Sequence, residues 1–152
     1  MEGQGYLSTN SSINKFSEWT KIILIYCDGS LHQGYRKEPI KYKNTNLYFR
    51  GEKIIQAQLK YIEDHYSLSK ADRIVLTGGS AGAIGAYLWG NTVRTLAKDP
   101  SKVFIIPDSG IILDYPEHLT KSHNFLNPLK NLYKIANLDS EGTPLTVCNA
   151  FF

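Results

Sequence analysis

Ser80 has a glycine two residues before it and another two residues after it, in the run Gly78-Gly79-Ser80-Ala81-Gly82. That spacing is the G-x-S-x-G pattern of a nucleophile elbow, in which a serine on a sharp strand-to-helix turn holds its hydroxyl clear of a sheet. The flanks suit it: the apolar run Ile74, Val75, Leu76 comes before and a helix-like stretch comes after. So tight a turn brings its flanking residues so close that only glycine, or something nearly as small, fits. Gly78 and Gly82 fill those places, and Ala81 and Ala83 keep the first helical turn slim. Ser80 is therefore a candidate acyl-transfer nucleophile, to be weighed against a glycine-rich turn that does no chemistry.

The same glycines admit a nucleotide-binding reading. Thr77-Gly78 with Gly82 and Gly85 would form a phosphate loop, and Asp108 would serve as the ribose-binding acid. Glycines at 79, 82 and 85 do not keep G-x-G-x-x-G, since Ile84 stands where a glycine is wanted. The only Tyr-x-x-x-Lys, Tyr66 to Lys70, precedes the loop instead of following it. No cofactor and no metal ligand set is expected.

A serine nucleophile needs a base within hydrogen-bond reach and an acid that orients the base. Behind such an elbow the order is serine, acid, histidine. Asp108 or Asp114 would be the acid and His118 or His123 the base. Asp114 and His118 share one connection, however, whereas these partners ordinarily come from separate loops. His32 and His65 precede the elbow and read as surface or loop histidines. Asp28 reads as a turn residue that its place at a strand end keeps near the site.

The elements that would position these groups alternate. Residues 1–20 read as a flexible leader. Lys21 to Cys27 is apolar throughout, the pattern of a strand buried on both faces. A polar loop over residues 30–48 leads to a helix from Gly51 to Tyr66 with Ile54, Ile55, Leu59 and Ile62 as its stripe. The elbow strand and a helix to Ala97 follow, broken by Pro100. Lys102 to Pro107 is a further buried-type strand, Pro116 to Asn137 is helical in pieces interrupted by Pro128, and Pro144 begins a last strand. This alternation implies an α/β fold with a parallel sheet covered on both faces and reactive groups at strand carboxyl ends, where Asp28, Ser80 and Asp108 all stand.

Together these segments resemble the pectin acetylesterase and Notum family of carboxylesterases. The matching pieces are Tyr26-Cys27-Asp28-Gly29-Ser30, Leu47-Tyr48-Phe49-Arg50-Gly51, Leu76 to Gly82, Asp108-Ser109-Gly110 with Leu113-Asp114, and Thr143-Pro144-Leu145 with Asn149-Ala150, in the family's order. The resemblance implies a partial α/β-hydrolase-like domain over residues 21–152. It implies a serine esterase acting on an acylated carbohydrate or other ester, exported in its full-length form. Ser80 matches the nucleophile, the Ala81 amide matches an oxyanion-hole donor, Gly78, Gly79 and Gly82 match the elbow, and Asp28 and Asp108 would line the site. The family's Gly-Gly-Trp segment has no counterpart in Gly3-Gln4-Gly5-Tyr6. Its acid and histidine would fall after Phe152. Cys27 resembles a cysteine that pairs within the absent glycine-rich segment. The resemblance thus implies an incomplete catalytic apparatus, two sheet edges left open, and a chain that is marginally stable alone. A non-catalytic relative that keeps a sugar- or lipid-binding surface is the alternative.

Bulk properties agree with one domain. The 152 residues suffice for a single core, with 42% hydrophobic and 20% charged residues. A net charge of +3, from 17 basic and 14 acidic residues, gives no argument for nucleic acid. No apolar run reaches the roughly 18 residues of a membrane span, and the first twenty residues lack a signal-peptide core. Cys27 and Cys148 leave the redox compartment open.

Overall fold

The computed structural model describes residues 5–111, 115–123 and 126–138. Seven elements of regular structure follow one another. They are β1 (Ile40–Tyr42), β2 (Thr45–Leu47), α1 (Gly51–Tyr66), β3 (Ile74–Gly79), α2 (Ala81–Leu96), β4 (Val103–Asp108) and α3 (Leu126–Ala136). The mixed pattern, with a parallel pair of strands and flanking helices, is that of a partial α/β fold. No helix among the described residues is long and apolar enough to cross a membrane.

β3 and β4 pair in parallel, with Ile74 opposite Val103 and Gly79 opposite Asp108. The crossover between them is α2, the connection a parallel pair requires. Period-two alternation sends Ile74, Leu76, Val103 and Ile105 to one face of this sheet. There Ile74, Leu76 and Val103 meet Ile55 and Leu59 of α1 and Trp89 and Val93 of α2 in the main core. Gly90 lets α2 settle onto the strand: a Cβ there would lie 2.2 Å from the Ile105 side chain. Val75, Thr77, Phe104 and Ile106 point the other way, and Phe104 is 48% exposed. α1 and α2 cover the first face, whereas on the second Val75 and Ile106 are half-buried and Thr77 and Phe104 exposed.

One correction concerns Lys21 to Cys27. This apolar run forms no strand. Ile22, Ile23, Ile25 and Tyr26 are exposed, Ile23 by 66%. Its residues make no backbone-to-backbone hydrogen bond among the described residues. The side chain of Gln58 on α1 takes the place of a neighbouring strand, accepting from the Ile25 N–H (3.1 Å) and donating to its carbonyl (3.2 Å). Leu24 alone of the run packs against the main core. Apolar composition prepares a segment for a ladder, but the ladder needs a partner.

α1 has the expected bounds. Ile55, Leu59 and Ile62 are its buried stripe, with Ile54 half-buried. It ends at Ser67, whose left-handed conformation (φ 52°) lets its N–H bond the Glu63 carbonyl. The segment expected as a loop, 30–48, contains the β1–β2 hairpin, closed by Lys43-Asn44 with Lys43 at φ 52°. Pro128 does not interrupt α3. It stands in the first turn, where its missing N–H costs no intrahelical bond. α3 contributes Ala136 to a smaller core with Phe49 and Leu138, against which Ile40 packs. Residues 5–20 form turns in which the buried Asn14 side chain donates to the Tyr6 and Ser8 carbonyls. Leu113, Asp114 and the Thr143 to Ala150 motifs, Cys148 included, lie outside the described residues.

A two-stranded parallel sheet with one partly exposed face and an apolar, unladdered run beside it buries little of its hydrocarbon. The purified chain should unfold broadly or aggregate below about 50 °C, toward the low end of the mesophilic range. A sharp calorimetric transition well above that temperature would contradict this account.

Candidate active site

The sequence carries the chain directly from the last residue of β3 into the first of α2, with Ser80 as the single residue between them. Making that reversal in one step forces Ser80 to φ 52° and ψ −115°. Such a conformation costs a non-glycine residue about 1–3 kcal/mol and persists only where surrounding contacts impose it. Here the Ser80 N–H donates to the Asp108 carbonyl (3.0 Å) across the end of the parallel pair. The Ser80 carbonyl accepts from the Ala83 and Ile84 amides, which starts α2. The side chain is exposed and makes no capping hydrogen bond. Its hydroxyl thus projects from a tight bend.

Gly78 makes the bend sterically feasible. A Cβ there would lie 2.5 Å from the carbonyl carbon and oxygen of Gly82. The expected close approach is one-sided, because a Cβ on Gly82 or on Gly79 would meet nothing within 4 Å. Gly85 has its own local use, since a Cβ there would sit 2.9 Å from the His32 ring. Of the glycines that suggested a phosphate loop, Gly78 and Gly85 are accounted for by contacts inside the protein. At the start of α2 the amides of Ala81 and Gly82 have no intrahelical acceptor, as in any first helical turn, and they stand next to Ser80.

Asp108 ends β4 beside the elbow and is exposed. Its carboxylate accepts from its neighbour Ser109 (2.8 Å), and its backbone carbonyl is what holds Ser80. Gly110 continues this loop against α2, where a Cβ would lie 2.5 Å from that of Ala83. Asp28 is committed elsewhere. Its carboxylate accepts from the Ser30 N–H and hydroxyl and from the Arg50 (2.7 Å) and Gly51 (2.5 Å) amides. It therefore caps α1 from 22 residues away, a negative charge at the positive end of the helix dipole. His65 lies at the surface, its Nδ1 2.9 Å from the Tyr61 carbonyl. His118 and His123 are exposed and line no part of the cavity described below. Cys27 is a free, exposed thiol.

A cavity of about 520 Å³ opens beside the elbow, with Gly78, Gly79, Gly82 and Asp108 in its wall. Gly5, Tyr6 and Leu7 line it too. His32 is its histidine. Expected as a surface or loop residue, it is a loop residue but a buried one, 9% exposed. Its ring lies 4.4 Å from that of Tyr26, and its carbonyl accepts from Trp89 Nε1 (2.9 Å). Burial holds its imidazole below the ordinary pKa of 6.5, and the Asp28 charge opposes this only in part. The burial of His32 against α2 and its bond to Trp89 did not figure in the reading of the sequence. The available signal was the run Gly82, Gly85, Ala86, Trp89 on one face of α2, small residues that make room for a bulky neighbour.

Two outcomes follow from this packing. Gly78→Ala should destabilise the chain by about 1–3 kcal/mol through overpacking, whereas Gly82→Ala should be neutral or gain up to about 1 kcal/mol of helix propensity. Urea unfolding of the two variants checks the contrast, and equal losses would refute it. For His32, the unfolded state binds the proton at higher pH than the folded one. Its contribution is therefore present above pH 6.5 and is lost as pH falls below that value through the folded pKa. His32→Asn, which tolerates the φ of 63°, should flatten the stability profile across that window.

Residues 1–148 match the family model Pectinacetylesterase. The chain is 32% identical over 118 residues to pectin acetylesterase 5 of Arabidopsis thaliana, which covers 76% of this chain and 27% of the relative. It is 32% identical over 111 residues to pectin acetylesterase 4 and 31% identical over 112 residues to pectin acetylesterase 7 of the same plant, in each case 72% of this chain and 27% of the relative. The chain thus spans about a quarter of the length of these curated relatives, each covered to 27%. No solved structure matches it. With the match to the family model running through the elbow and nearly end to end, the chain belongs to the pectinacetylesterase family.

Proposed function

We propose that Ser80 is the acyl-transfer nucleophile of a carboxylesterase whose substrates are acetylated carbohydrates of the pectin type. The reading rests on one observation: an exposed serine hydroxyl on a backbone of φ 52° and ψ −115°, between a parallel strand and the helix behind it. The hydroxyl would attack the acyl carbonyl, the C–O bond to the sugar would break, and the acyl-enzyme would be released by water. The Ala81 amide is well sited as an oxyanion donor, because it points from the positive end of α2 and needs no rearrangement. Asp108 supports this chemistry through its carbonyl, as the residue that holds the elbow in place. The names of the Arabidopsis relatives support the substrate class.

Base and acid are the weak members. Neither His118 nor His123 lines the elbow cavity, and His32 is occupied with Tyr26 and Gly85. Among the described residues no acid and base pair stands at the elbow, and working without both costs such a unit on the order of 10⁴ to 10⁶ in rate. Hydrolysis of p-nitrophenyl acetate by this chain should accordingly be slower by about that factor than by a pectin acetylesterase with a full triad. The residual rate should vanish in Ser80→Ala. Turnover that survives this substitution would remove Ser80 from the role.

A further inference from the structure

The esterase chemistry leaves one motif of the sequence unused. Asn10-Ser11-Ser12 is the chain's single Asn-x-Ser or Asn-x-Thr with no proline between. A carboxamide two residues before a hydroxyl is the acceptor pattern for an N-linked oligosaccharide. Three residues coincide easily by chance, so the turn around them decides whether the fold has room for the product. That turn is held from inside. The Asn10 carbonyl accepts from the Ile13 and Asn14 amides (3.2 and 3.0 Å), and the Asn10 N–H donates to the Ser8 hydroxyl (3.1 Å). Asn14 is buried, and its Nδ2 is spent on the Tyr6 and Ser8 carbonyls. Asn10, four residues earlier in the same turn, has the opposite setting. It is exposed, as are Ser11 and Ser12. Its Oδ1 accepts from the Ser12 N–H (2.9 Å), which steadies the carboxamide. Its Nδ2 and the Ser12 hydroxyl make no hydrogen bond among the described residues.

We propose that Asn10 carries an N-linked oligosaccharide in the exported protein. This rests on the esterase reading in one respect: a carbohydrate of the pectin type lies outside the cell, so its hydrolase passes through the compartment where such sugars are attached. The donor is an oligosaccharide joined to a lipid diphosphate. Asn10 Nδ2 attacks C1 of the first sugar, the C1–O bond breaks, and the lipid diphosphate leaves with the bonding pair. One Nδ2 proton passes to a base of the transferase. The part of this fold is to accept the product without rearrangement. A link through Nδ2 breaks no hydrogen bond of the turn and keeps the one from Ser12 to Oδ1. The sugar stands beside Ile13, which is 75% exposed. A bulky, hydrated group there shields hydrocarbon that the fold leaves bare. Gly5, Tyr6 and Leu7 line the elbow cavity, whereas Asn10, Ser11 and Ser12 do not, so the mouth of the candidate site stays open.

The test produces the whole chain in a eukaryotic host behind a cleavable export leader and reads its mass before and after treatment with peptide N-glycosidase. One oligosaccharide should be removed, leaving an aspartate at position 10 that mass spectrometry locates. Asn10→Gln and Ser12→Ala should each abolish the modification, and Ser12→Thr should keep it. Ser12→Ala retains Asn10 and the backbone N–H that its Oδ1 holds, so loss of the glycan there reports recognition of the hydroxyl and not a misfolded turn. A chain exported without the sugar, or a glycan that survives Ser12→Ala, would overturn the proposal. The modified chain should also begin to aggregate at a higher temperature than Ser12→Ala, and equal onsets would strike out the shielding role. The leader supplies export and no readout involves Ser80, so the two readings fail separately. A glycan on Asn10 without Ser80-dependent turnover would remove the esterase assignment alone, and turnover without a glycan would remove this one.

Discussion

The hydrogen bond from the Ser80 N–H to the Asp108 carbonyl holds the elbow together. A serine at φ 52° and ψ −115° would relax toward an ordinary conformation if released. Three features prevent it. The parallel register places Asp108 opposite Gly79, the missing Cβ of Gly78 admits the Gly82 backbone, and α2 begins immediately with its amides on the Ser80 carbonyl. Remove the register and the carbonyl is misplaced. Remove the glycine and the helix is pushed away. The exposed hydroxyl is thus a product of packing on both strands, and its position is no better than theirs.

A second centre of organisation is the Asp28 carboxylate, which serves four donors at once. It shapes the turn at Ser30 and caps α1, whose stripe supplies Ile55 and Leu59 to the main core. The loop it anchors then brings His32 against α2. Glu52, fully buried in the first turn of α1, adds a further negative group at the same helix end and accepts from Lys53 and Gln56. Two carboxylates near one N-terminus are tolerable because the helix dipole and the lysine offset their charge.

What could be read from the residues alone was mostly local. The elbow was legible because its spacing states a steric requirement, and α1 because Ile54, Ile55, Leu59 and Ile62 recur at helical spacing. β4 was legible from its apolar run and its Pro-Asp stop. Non-local facts were not. Whether Lys21 to Cys27 forms a strand depends on a neighbour, which composition does not supply. The role of Asp28 depends on Arg50 and Gly51, distant in sequence and adjacent in space. His32 looked like a loop residue because the glycine that receives it is 53 positions away at Gly85. The hairpin at residues 40–47 carries no glycine to announce its turn, and its two strands are only three residues each.

The indole of Trp89 bonds a carbonyl 57 residues earlier in the chain. Closing so long an excursion costs conformational entropy that grows with the logarithm of its length, and nothing local repays it in advance. The Asp28 to Gly34 loop is held at both ends of that reach, by Asp28 on the Arg50 and Gly51 amides and by the Trp89 indole on the His32 carbonyl. Contacts of this reach slow the search for the native state. The cavity wall at His32 is thus held by groups that the sequence keeps far apart, Tyr26 on one side and Gly85 and Trp89 on the other.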